Sequence, residues 1–447
     1  MTALIEVPPT NPTRRAGITR RTFLAGTGAA AGAAAAAVAL GPQLAFASPT
    51  SPSDGDVIVL IFLRGGADGL SLVAPWQMPT YRTLRPTIRV KGPDEVAAPN
   101  AGLPLTAGGS VAPFDLDGVF ALHPGLAPLH AGPWAAGDLA VVHAVGMPAA
   151  ESDTRSHFES MRNWEAGSAS LYVNTGFLNR FLGAVGATEG IPAIGRGATL
   201  ARSLDGPVPT FSMNDLNAFG IHGFGDNTKV GDALARWYRP SESDVVAQVG
   251  ANTLAAIDDV AGVSWTSAAY APQNGAVYGT DDIARNLADV AKVIRAGLGL
   301  RVACIDAGGW DTHEGMGAPD DPNSYFRRRS ANLAGALAAF WRDLGPAMSG
   351  VTVVTVSEFG RTINENGTGG TDHGRGTAMF VMGGGVAGGV YGDFVPTIED
   401  GPEGDLAVKN DFRRVLGEVL TVRGGAADAH DIFPTWEPQA PLGLCTA

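Results

Sequence analysis

The stretch Val351–Gly392 constrains the fold most. Val351 to Val356 is a run of six β-prone residues with little alternation, the pattern of a strand covered on both faces. Ser357-Glu358-Phe359-Gly360-Arg361 ends it, and a Gly/Asn/Thr-rich loop holding Asp372-His373 follows. The apolar run Ala378–Met382 then returns to the core. An acid therefore leaves the C-terminal end of a buried strand, with an Asp-His pair in the next loop. That edge is where open α/β sheets bind ligands.

Other segments supply the same edge. Asp56–Leu63 reads as a buried strand ending in Arg64-Gly65-Gly66-Ala67-Asp68. Leu139–Val145 reads as a strand leading to Arg155-Ser156-His157-Phe158 and a helix through Trp164. That spacing places Ser156 at a helix N-terminus, where the dipole favours an anion. Ile283, Leu287, Val290, Val293, Ile294 and Leu298 mark an amphipathic helix before the strand Arg301–Ile305, which ends toward Asp311-Thr312-His313. Strand and helix alternate, so the expected fold is a doubly wound, mostly parallel α/β sheet with helices on both faces. Poor periodicity over about 191–278 predicts a cap or insertion within a single domain spanning 48–447.

Residues 1–47 read as an address. Thr19-Arg20-Arg21-Thr22-Phe23-Leu24 has the twin-arginine export pattern, and Ala45-Phe46-Ala47 reads as a cleavage site. Export to the periplasm or medium is the expectation, with no stable membrane span. The formal net charge of −13 becomes about −16 once four arginines and Glu6 leave with this segment. Such an acidic chain argues against nucleic acid as partner. Cys304 and Cys445 have no zinc spacing, and a core strand and a tail are not expected to pair.

Asp68, Asp311, His313, Glu358, Asp372 and His373 form a carboxylate–imidazole set that suits Zn²⁺ or Mn²⁺, one ion or two. They are expected to converge. Gly383–Gly388 satisfies a dinucleotide glycine pattern, but no helix pattern follows it, and no nucleophile-elbow motif is present.

The motifs Arg64–Leu70, Arg155–Phe158, Gly309–His313, Ser357–Arg361 and Gly369–Gly374, behind the twin-arginine signal, resemble in order the bacterial exported family called domain of unknown function 1501. That family is similar to the alkaline phosphatase and sulfatase superfamily. The resemblance implies an alkaline-phosphatase-like fold with a two-metal site and Ser156 as nucleophile, with Asp68, Asp311 and His313 as ligands. Glu358 and the Asp372-His373 pair compete for one further ligand position. The implied function is an exported metal-dependent hydrolase of phosphate or sulfate esters, with Arg155 or Arg361 balancing substrate charge. The alternative is a non-catalytic protein that keeps this fold and binds a glycan or partner.

Overall fold

In the computed structural model, residues 55–106, 118–187, 191–197, 199–213, 216, 227–239, 245–261, 270–394 and 404–446 are described. The export motif lies outside them. Strand β1 (Val57–Leu63) is buried along its whole length. Its side chains alternate between two cores. Val57, Val59, Ile61 and Leu63 join one, and Ile58, Leu60 and Phe62 join the other. A strand that feeds two cores needs helices on both sides, and it has them.

The remaining strands of this sheet are β2 (Leu139–Gly146), β3 (Ala193–Arg196), β4 (Phe211–Ser212), β5 (Val302–Ala307), β6 (Val351–Val356), β7 (Thr377–Gly383), β8 (Gly389–Tyr391) and β9 (Asn410–Asp411). Their order is β8-β2-β7-β6-β1-β5-β3-β4, with β9 also pairing with β2. Helices α1 (His157–Ala166), α2 (Phe177–Ala184) and α3 (Phe412–Glu418) contribute Trp164, Phe181 and Phe412 to the core under Leu60. Helices α4 (Asp282–Ala296) and α5 (Tyr325–Leu344) contribute Leu287, Val290, Leu333 and Phe340 to the core under Val59.

The sheet, expected to be mostly parallel, is mixed. β7 runs antiparallel to both β6 and β2. The connection between β6 and β7, residues 357–376, contains no helix. Without a crossover the chain returns from the end it left. That return keeps Asp372 and His373 at the C-terminal edge of β6. The segment expected as a cap also differs. It supplies β3 and β4 to one side of the sheet, besides helices at Asn227–Trp237 and Val245–Ala261. β3 is a four-residue strand, Ala-Ile-Gly-Arg, too short to show a period.

Cys304 and Cys445 are unpaired, as expected from strand and tail. Burial pushes the Cys304 thiol up to about 12. Among the described residues, no helix is long and apolar enough to cross a membrane.

Phe380 is fully buried in β7, in the core beneath Val59. Phe380→Ala is expected to cost about 3–5 kcal/mol, read as a lower urea midpoint with an unchanged slope.

Candidate metal centre

Register brings three strand ends level. Leu63 of β1 lies beside Ala307 of β5, and Phe62 lies beside Val356 of β6. The loops that follow these strands are tied together by one buried side chain, Arg361. Its guanidinium donates to the carbonyls of Gly65, Gly66 (2.7 Å), Thr371 (2.9 Å) and Trp310 (3.2 Å), and to Asp311 Oδ1 at 2.6 Å. Asp311 is thereby fixed at the edge.

Three imidazoles surround Asp311. The Nε2 atoms of His313 and His373 lie 2.9 Å apart, and they sit 3.2 and 3.3 Å from Asp311 Oδ1. His157 Nε2 is 3.4 Å from Asp311 Oδ2. This atom is buried and has no hydrogen-bond partner among the described residues. His157, Asp311 and His373 can each present one ligand atom within 4.8 Å of the others.

The far nitrogen of each ring decides which way its lone pair points. His373 Nδ1 is 2.9 Å from the carbonyl of Arg155. A carbonyl can only accept, so Nδ1 carries the proton and Nε2 of the neutral ring is a bare lone pair. His313 Nδ1 donates to Asp372 Oδ1 (2.8 Å) and His157 Nδ1 to Glu358 Oε1 (2.9 Å). Three lone pairs and a carboxylate therefore face one another. Burial above all, with the positive charge of Arg361, holds His373 below the usual histidine range against the hydrogen bond to the Arg155 carbonyl, keeping its ring neutral. Burial opposes ionisation of Asp311, but the hydrogen bond and charge of Arg361 outweigh it and hold its carboxyl below the ordinary range. The His313 hydrogen bond does the same for Asp372. Imidazoles oriented through Nδ1–H to an oxygen are the usual arrangement around a bound metal. The N₂O set of His157, His373 and Asp311, with its partnerless His157 Nε2, has the donor types that suit a divalent cation such as Zn²⁺ or Mn²⁺, and His313 Nε2 lies beside it.

Of the residues singled out from sequence, Asp311, His313 and His373 meet at this centre. Glu358 and Asp372 lie one step behind it, holding rings rather than facing inward. Glu358 is buried and also accepts from Gly65 N at 2.8 Å. Asp68 is engaged elsewhere. Both its oxygens take Arg85 Nη1 at 2.9 Å, and Ser71 N and Thr371 Oγ1 complete its hydrogen bonds. Arg85 is fully buried, with its remaining nitrogens on the carbonyls of Ile363 and Thr362. Arg361 is likewise spent on carbonyls and Asp311, which leaves it no open side toward solvent. Arg155 donates to the His373 carbonyl (2.8 Å) and Asp405 (3.2 Å). Ser156 is the exposed N-cap of α1, and its hydroxyl makes no capping bond.

His157 is the residue that sequence reasoning passed over as a ligand. Its local signal was present: it opens a helix directly after Ser156, at the edge where β2 ends. The partner that orients it, Glu358, is 201 residues away.

Residues 266–410 match the family described as Protein of unknown function (DUF1501). The DUF1501 match covers β5, α5, β6 and β7, and with them Asp311, His313, Glu358, Arg361, Asp372 and His373. His157 and Ser156 lie outside it. No curated protein matches the chain.

Arg361→Met is expected to destabilise the protein by about 3–5 kcal/mol. It would leave the carbonyls of Gly65, Gly66 and Thr371 without that donor and Asp311 unpaired. Urea unfolding measures the loss, and proteolysis within 357–376 should accelerate.

Proposed function

We propose that this chain is an exported metal-dependent hydrolase of phosphate or sulfate esters, with a single divalent ion held by His157, Asp311 and His373 and with His313 Nε2 beside them. The observation that carries the reading is the set of three Nε2 lone pairs turned on one carboxylate, each fixed by an oxygen behind the ring. Such an ion would supply Lewis-acid charge for the oxygens of an anionic ester. The engagement of Asp68 by Arg85 favours one ion over two.

The chain's own groups supply the rest. The Ser156 hydroxyl stands free at the N-terminus of α1, whose first amides and dipole favour an anion. Ser156 immediately precedes His157, so nucleophile and ligand share one backbone turn. Attack by Ser156 Oγ forms an oxygen–phosphorus or oxygen–sulfur bond and breaks the bond to the leaving alcohol, which takes the hydroxyl proton. Water then cleaves the serine ester, restores the hydroxyl and releases the inorganic anion. Glu358, Asp372 and the Arg155 carbonyl hold the rings so that little reorganisation accompanies the reaction.

Metal analysis of protein purified without chelator is expected to give about one ion per chain. His157→Ala and His373→Ala should each lower occupancy and abolish turnover of 4-nitrophenyl phosphate or sulfate. Ser156→Ala should keep the metal and lose turnover. Full metal in the wild type with no activity on any such ester would favour a binding protein. Full activity in Ser156→Ala would remove Ser156 as nucleophile.

Protons compete with the ion for the same Nε2 lone pairs. Occupancy is expected to be complete at neutral pH and to fall on acidification. Because His373 sits below the ordinary value near 6.5, its own proton competes only at pH below that value. Equilibrium dialysis against a metallochromic chelator between pH 5 and 8 measures this. Occupancy that rises toward pH 5 would exclude imidazole ligation.

A further inference from the structure

We propose that the cavity at the end of β5 is a subsite for the alcohol half of the ester, and that this half is polyhydroxylated, as in a sugar. The inference rests on the hydrolase reading above and adds the substrate class. The cavity is a cleft open to solvent that offers about 420 Å³, within the range of small-ligand sites. Gly308 and Gly309 line it, and Asp311 follows Gly309 by two residues. The loop between cavity and metal centre is pinned. Arg329 donates to the Gly308 carbonyl, and the Tyr325 hydroxyl donates to the Gly309 carbonyl at 3.0 Å. The loop that lines the cavity therefore runs on directly to Asp311.

The lining sets the chemistry. Asp281, Asp282 and Asp306 are set against Arg285 and Arg329, and Asp306 is also paired with Arg64 at 2.8 Å, so formal charge cancels. No net positive charge is left to hold a second anionic group. An alkyl chain or aryl ring would desolvate these ions without bonding them. Hydroxyl groups donate to carboxylates and accept from guanidiniums, so a polyol meets both. Arg329 Nε is buried and lacks a hydrogen-bond partner among the described residues. A Cβ added at Gly308 would meet nothing within 4 Å, and its φ is not in the left-handed region. A side chain introduced there enters open space rather than protein.

The test uses metal-loaded, full-length protein. Sucrose serves as a neutral probe in saturation-transfer NMR. Glucose 6-phosphate and glucose 6-sulfate are compared with the corresponding 4-nitrophenyl esters. Wild type is expected to bind sucrose, and Gly308→Leu should abolish that binding. In the same variant kcat/KM for the sugar esters should fall about tenfold, while the aryl esters stay within about twofold. Arg329→Gln, which removes the partnerless Nε together with the hydrogen bond to the Gly308 carbonyl, should show the same selective loss. The subsite is overturned if wild type does not bind sucrose, if both variants bind it normally, or if both ester classes lose activity equally. Sucrose binding that both variants abolish, in a wild type inactive on every ester, would instead overturn the hydrolase reading and leave the saccharide site standing.

Discussion

The structure at this edge depends on one buried guanidinium. Arg361 leaves the end of β6 and turns into the gap between the loops that follow β1 and β5. There it binds backbone carbonyls from three separate segments and one carboxylate. Unsatisfied carbonyls in a buried loop junction would each cost about 1–3 kcal/mol. One planar side chain with five donors answers several at once. The strand ends are thereby locked to each other, and Asp311 becomes a fixed point rather than a loop residue free to turn.

The close approach of those loops restricts backbone as well as side chains. Gly65 has φ +120°, in the left-handed region, and a Cβ there would collide with the backbone nitrogen of Asp311. At Gly66 a Cβ would run into the ring of Phe359. Phe359 in turn packs against His157 and His373, with ring centroids 4.9 and 4.6 Å away. An apolar wall thus backs two of the three imidazoles, limiting their rotation. Hydrogen bonds on the Nδ1 side and packing on the ring faces act together, so the lone pairs point inward before anything binds.

Charge is partitioned across the site with the same economy. Two acids that from sequence alone looked equivalent to Asp311 have different tasks. Asp68 neutralises Arg85 in the interior, and Glu358 divides its oxygens between a backbone amide, a serine hydroxyl and His157. A buried carboxylate that already accepts several hydrogen bonds has little left for a cation. Of these three acids, Asp311, about half exposed, is the one that faces the Nε2 side of the imidazoles.

The sequence by itself determined the alternation of strands and helices, the edge that carries the chemistry, and the residue types gathered there. Burial on both faces is written locally, as runs such as Val57–Leu63 and Val351–Val356, because side-chain periodicity needs only neighbouring residues. The direction of β7 was also readable in principle, from the missing helix between Ser357 and Gly376. Tertiary structure alone decided which groups meet. Asp68 lies 17 residues from Arg85, and His157 lies 201 residues from Glu358. The second pairing follows from the lateral order of strands and their register. A hydrogen bond requires placement to within a few tenths of an ångström, and no local pattern of residues fixes distances across a sheet that closely.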